Sequence, residues 1–182
     1  MLFYVLGAVA LGVGTAGVVL IVYRLLGRKV PRWILPVAAG AAMIGFHIWS
    51  EYSWYSRTAA ALPANLAVAA TYTSSSLLQP WSLVVPRIDR FSVVNTSTVQ
   101  RNERIPHLRI AEVFLVVRYM PTVSTLQIYD CETPRRADVV RTLEFDPDGR
   151  PIGAQWVPVD PADPIRGKVC ASTISRVVGP KA

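Results

Sequence analysis

Arg24-Leu25-Leu26-Gly27-Arg28-Lys29-Val30-Pro31-Arg32 is a short basic turn between two long apolar runs, and its reading decides the fold. Four of the nineteen Lys and Arg side chains, Arg24, Arg28, Lys29 and Arg32, fall within it, and no acidic residue precedes Glu51. On its N-terminal side, residues 2–23 carry no charge. About 20 such residues span the ~30 Å hydrocarbon core of a bilayer as a helix. A cleaved signal peptide is the competing reading, but it would need basic residues before the apolar run, whereas here they follow it.

On the other side, residues 33–54 form a second apolar run that holds Pro36, His47 and Glu51. Pro36 falls in the first turns of the expected helix, where its missing N–H costs little. Trp49, Tyr52, Trp54 and Tyr55 supply the aromatic belt of a membrane interface. Together the runs read as a transmembrane hairpin over 1–56. Short loops rich in Lys and Arg stay in the cytoplasm, so the 24–32 loop is placed inside and both termini outside. In a Gram-negative cell this is an inner-membrane protein with a periplasmic C-terminal part.

The 182 residues are 52% hydrophobic, high for a soluble protein, and the excess is concentrated in these runs. Of the net charge of +7, residues 1–54 supply four bases and one acid, leaving +4 for the rest. Those later charges alternate in sign, as in Arg87-Ile88-Asp89-Arg90. They read as a solvated surface, and no nucleic-acid partner is expected.

Small residues recur at helix-packing spacing: Ala8, Gly12 and Ala16 on the first helix, and Ala38, Ala42, Ala41 and Gly45 on the second. Such faces let backbones approach closely in lipid, either within the hairpin or against a larger membrane complex. His47 and Glu51, four apart, share a helical face. They are a possible metal or proton-relay site, or interfacial polar residues bonded to each other or to water.

After residue 57 the apolar period shortens to two. Strands are expected over 66–73, 82–85, 91–95, 110–119, 125–129, 139–145 and 154–157, separated by prolines and the turn Asp146-Pro147-Asp148-Gly149. Strands this short, with few stretches long enough for crossover helices, predict an antiparallel sheet. Asp163-Pro164 supplies an N-cap and a first-turn proline for one late helix over 165–171. The expected division is 57–80 as linker and first strand, 81–175 as a small mainly-β (α+β) domain, and 176–182 as a tail.

The two cysteines, Cys131 and Cys170, form a disulfide if their compartment oxidises and are inert thiols if it does not. The topology above places them where thiols oxidise. A bridge would close a loop of about 40 residues and stabilise by on the order of 3–4 kcal/mol.

An ordered set of short signatures carries a resemblance. They are the run from Phe91 to Val99, then Val116-Val117-Arg118-Tyr119, Tyr129-Asp130-Cys131 followed by Arg135-Arg136, Gly149, the run from Trp156 to Pro161, and Val169-Cys170. From about Phe91 to Cys170 the chain resembles the surface-adhesin protein E family of small bacterial envelope domains. The resemblance implies an antiparallel sheet with a packed helix, a Cys131–Cys170 disulfide, and Trp156 in the core beside it; Tyr119 is expected in the core as well. Asn95 stands where that family usually has Asp, and two helices replace its lipid anchor. The fold and the bridge carry over, not the adhesive activity.

No Gly-rich phosphate loop, C-x-x-C or His-Glu-x-x-His pattern is present, so neither a cofactor nor a metal is expected. The only histidines are His47 and His107, leaving few bases for nucleophilic catalysis. Ser74-Ser75-Ser76 and Thr96-Ser97-Thr98 read as turn residues. The expected function is a non-enzymatic, membrane-anchored accessory or scaffold protein that binds an envelope protein or membrane complex. The alternatives are a small-molecule or haem-like ligand module, with a pocket around Trp81, Tyr119 or Trp156, and an envelope hydrolase using His107.

Overall fold

A computed structural model of the chain describes residues 2–140, 143–172 and 176–178. It divides into two compact units, Met1–Arg57 and Thr58–Ala182.

The first unit holds α1 (Leu2–Leu25) and most of α2 (Ile34–Ala60), both long and apolar enough to cross a membrane. The turn between them closes α1 with Gly27 at φ 65°, where the Arg28 N–H reaches back to the Tyr23 carbonyl (3.0 Å). A left-handed glycine satisfying the last carbonyls in this way is a common helix stop. Pro36 lies in the first turn of α2, where no intrahelical N–H is required. Gly12 is buried against α2, and a Cβ there would sit 3.1 Å from Met43 Cγ and Sδ. Ala8 and Ala16 are half-buried. Ala41 and Gly45 differ from this pattern: both are exposed, and Gly45 has no atom within 4 Å of a Cβ position.

The second unit is a curled, mainly antiparallel sheet with one helix packed on it. Its strands are β1 (Leu66–Ser74), β2 (Arg87–Asn95), β3 (Gln100–Asn102), β4 (Leu108–Val117), β5 (Val123–Asp130) and β6 (Arg135–Asp138), followed by β7 (Glu144–Phe145), β8 (Pro151–Ile152), β9 (Val157–Pro158) and β10 (Arg176–Val178). The main path runs β1-β2-β4-β5-β6-β9, β3 branches from β4 and pairs with β10, and β7 and β8 form a separate hairpin. The short helices are α3 (Trp81–Val84) and α4 (Pro164–Ala171), with a 3₁₀ turn at Thr96–Thr98.

α4 packs Ile165 and Val169 against Val94, Ala111, Val113 and Tyr129 on one face of the sheet. Strand alternation puts Phe91, Val93 and Ile128 on the other face, and the curl buries these as well. β2 is therefore buried on both sides from Phe91 to Asn95, which explains why Val93 and Val94 stand side by side instead of alternating with polar residues. Asp163 caps α4 by accepting from the Ile165 and Arg166 amides. Cys131, just past β5, and Cys170, in α4, are disulfide-bonded, joining helix to sheet.

Several expectations are corrected. Residues 82–85 are not a strand. Ser82 is fully buried and its hydroxyl donates to the Gln79 carbonyl (2.7 Å), winding the segment into α3. Arg135–Asp138, where no strand was expected, is β6: Ala137 is buried while the charged neighbours alternate outward. Strand 139–145 shrinks to Glu144–Phe145, with 141–142 outside the described residues. Strand 154–157 becomes Val157–Pro158. β1 covers the expected first strand and pairs with β2, whereas Arg176–Val178, expected in the tail, lies parallel to β3. Positions 179–182 of that tail lie outside the described residues.

Candidate functional site

Three polar or concave places stand out in the second unit. The first is built around Asp130, which is 1% exposed at the end of β5. Its carboxylate accepts from the Glu132 and Thr133 amides (3.0 and 3.1 Å), the Thr133 hydroxyl, and Arg135 through Nε (3.0 Å) and Nη2 (2.9 Å). Burial pushes this carboxyl upward. The bonds from Thr133, Glu132 and Arg135 outweigh it and hold the group below its ordinary value. Arg166 of α4 donates to the Asp130 carbonyl (3.0 Å) and the Cys131 carbonyl (2.7 Å), so the disulfide sits inside a charged clamp. This arrangement fixes a backbone corner, because every carboxylate oxygen is already engaged.

The second place is a groove of about 500 Å³ between the β3–β4 region and the β7–β8 hairpin. Leu108, Ile110, Ile128 and Phe145 line it with apolar surface, and Arg101 and Arg104 stand at its side. The hairpin turn is held down by Asn102, whose Nδ2 donates to the Asp148 carbonyl (2.6 Å), and by an Arg104–Asp148 ion pair. Gly149 is required there. It sits at φ 81°, and a Cβ would fall 2.0 Å from Asn102 Nδ2. The buried Nε of Arg101 has no hydrogen-bond partner among the described residues.

The third is a groove of about 390 Å³ beside α4, lined by Tyr72, Arg90, Ser92, Gln127, Arg136 and Ile165 among others. At its floor Tyr129 donates to Gln127 Oε1 (2.5 Å), and Gln127 Nε2 donates to Asp138 (2.8 Å). Burial, only partly offset by Arg136, pushes the Tyr129 phenol up to about 12. A neutral, donating hydroxyl is thereby fixed at physiological pH.

The residues singled out in the sequence are placed as follows. Arg24, Arg28, Lys29 and Arg32 are exposed around the Gly27 turn. His47 Nδ1 lies 2.6 Å from Tyr4 Oη, so its contact runs across the hairpin to α1; Glu51, on the same face, is 2% exposed. Among the described residues no group of three or more His, Cys, Asp or Glu is arranged to hold a metal. His107 faces Glu132 at 4.0 Å.

Trp156 and Tyr119 are not core residues. Trp156 is half-buried beneath Arg135, whose guanidinium lies 4.6 Å from the ring centre. Tyr119 is 54% exposed at φ 66° in the turn after β4, with Arg118 over its ring. Neither groove is lined by Trp81, Tyr119 or Trp156, so the concave surfaces lie away from the expected aromatic trio. The Asp130 clamp was missed, although Asp130-Cys131-Glu132-Thr133 has the form of an Asx turn, in which a carboxylate accepts amides two and three residues on. No family model, curated protein or solved structure matches the chain.

Proposed function

We propose that α1 and α2 cross the bacterial inner membrane as a hairpin, with the 24–32 loop in the cytoplasm and the disulfide-bonded unit in the periplasm. In this reading the protein is a non-enzymatic accessory or scaffold subunit that binds another envelope protein or membrane complex. The observation that carries it is the surface of the helix pair. Val5, Leu6, Val9, Val13, Val18 and Ile21 are all exposed on α1, as are Val37 and Ile44 on α2. A contiguous aliphatic surface of this kind is suited to hydrocarbon and unsuited to water. The disulfide supports an oxidising compartment on the far side. The exposed Ala41 and Gly45 give a small-residue face open to another transmembrane helix.

The test is a photo-crosslinking residue at position 45 in the full chain in living cells, beside one at position 13. A discrete adduct formed from 45 alone supports the reading, and its absence refutes it. A reporter that is active only in the periplasm, fused after Ala182, is expected to be active; cytoplasmic activity would overturn the topology.

A second reading is favoured by the groove beneath the β7–β8 hairpin. Its apolar lining suits a small apolar molecule. Native mass spectrometry of the full chain is expected to show a retained small molecule that Ile110→Trp removes. An unchanged spectrum would sink this reading.

A further inference from the structure

The connection between β1 and β2 projects an aliphatic surface that the fold does not use. Leu77 is 85% exposed, Leu78 92% and Val84 83%, with Leu83 and Val85 more than half exposed. The β4–β5 turn lies at the same end of the sheet: the Arg118 N–H donates to the Asp89 carbonyl (3.0 Å), beside the start of β2. That turn adds Met120, 68% exposed, and Tyr119.

A polar framework holds this surface in shape. The Ser82 hydroxyl donates to the Gln79 carbonyl and accepts from the Ser76 amide (2.8 Å). The amides of Gln79, Ser82, Leu83 and Val85 all donate to carbonyls within the segment. The Gln79 side chain accepts from Arg87. Polar groups are thus turned inward or paired, and aliphatic ones outward.

We propose that residues 76–85, with the neighbouring 118–123 turn, are a lipid-inserting tip that rests the second unit on an anionic phospholipid bilayer. The proposal rests on the membrane-anchor reading given above. Three features select lipid as the occupant. The backbone amides just named are satisfied inside the segment, which is what entry into hydrocarbon demands and what pairing with an added protein strand would not use. The outward side chains are Leu and Val, which offer no directional bond to a protein partner. The charged residues at this end are Arg87, Arg90 and Arg118 against the single acid Asp89, a basic excess complementary to anionic headgroups. Arg90 and Arg118 also stack on Tyr72 and Tyr119, aromatic and basic pairs suited to the headgroup layer.

The test uses the full chain, with its native disulfide, reconstituted in vesicles of phosphatidylethanolamine and phosphatidylglycerol. A single nitroxide is placed at Leu78→Cys, with reference labels at Val13→Cys in α1 and Ile152→Cys in β8. Collision accessibility to oxygen and to a polar nickel chelate reads immersion. The expected result is an oxygen-to-nickel ratio at 78 several-fold above that at 152 and close to that at 13. Vesicles of phosphatidylcholine alone are expected to lower the ratio at 78, and an equal ratio there would overturn the assignment to anionic lipid. A label at Val84→Cys is expected to be immersed and to surface when Leu77→Asp and Leu78→Asp are added.

If 13 reads as hydrocarbon while 78 reads as water, the tip proposal is overturned and the anchor stands. If 13 also reads as water, the anchor reading itself falls. Position 78 that is aqueous in vesicles but shielded in native membranes would identify a protein occupant and likewise overturn the proposal.

Discussion

Replacing both Cys131 and Cys170 with serine removes the covalent tie between β5 and α4. The two positions are 39 residues apart, and closing a loop of that size restricts the unfolded chain by an entropy worth about 4 kcal/mol at room temperature. Both cysteines are half-buried, so each serine hydroxyl keeps access to water and the loss reports the cross-link rather than a buried polar group. Set against total stabilities of roughly 5–15 kcal/mol for a domain, this is a large share. For a unit of this size it corresponds to a fall in unfolding midpoint of roughly 10–20 °C.

In the folded state α4 keeps other attachments, because Arg109 donates to the Val169 and Ser172 carbonyls (3.0 Å each) and Arg166 to those of Asp130 and Cys131. The variant is therefore expected to fold to the same structure at low temperature and to unfold earlier. Scanning calorimetry of the purified full chain, oxidised wild type against the double variant, measures the difference. A loss below about 1 kcal/mol would refute the chain-entropy reasoning, since that model allows no value so small for a loop this long. Each single variant should also abolish the mobility difference between reducing and non-reducing gels.

Asp130→Asn is expected to cost about 2–3 kcal/mol in denaturant titrations, because a neutral amide replaces a carboxylate accepting several charge-assisted bonds. Since the folded Asp130 carboxyl lies below its ordinary value, its contribution is present above the unfolded pKa and lost as pH falls through the folded one. The wild type should therefore lose stability on the acid side more steeply than the variant. Tyr129, pushed up to about 12, should remain un-ionised in an ultraviolet titration while exposed tyrosines ionise near 10; a full tyrosinate count by pH 11 would contradict its burial. Gly12→Val, whose Cβ meets Met43, is expected to weaken the hairpin by about 1–3 kcal/mol, measured as loss of resistance to unfolding in detergent. Gly45→Val, with open space around it, should leave that resistance unchanged.

The elements legible in the sequence are those whose cause is local. Long, predominantly apolar runs produce α1 and α2, and Asp163-Pro164 carries both the cap and the first-turn proline that start α4. The misread segments have causes that lie elsewhere in the chain. Val84-Val85 has strand propensity but no strand to pair with, while Ser82 is captured by the Ser76 and Gln79 carbonyls that precede Pro80. Arg135–Asp138 has a polar sequence yet pairs with β5, because Tyr129, Gln127 and Asp130 offer partners for its charges. Trp156 and Tyr119, expected in the core, each have an arginine covering the ring at the surface instead.

The candidate site follows the same division. The Asp130 clamp is written within six residues, and its Asx pattern is legible once a buried strand end is assumed. The groove requires 100–104, 108–110, 128 and 145–151 to converge, and no periodicity encodes that convergence. The exposed aliphatic segment 76–85 is intermediate. Leu77-Leu78 and Leu83-Val84-Val85 are visible as apolar, and a sequence reading assigns such residues to the interior. Only the inward turn of Ser82 and Gln79 reveals that the aliphatic side of this segment faces out. Hydrophobicity alone thus identifies which residues are apolar, whereas the hydrogen-bonded polar side of the segment determines that they face outward here.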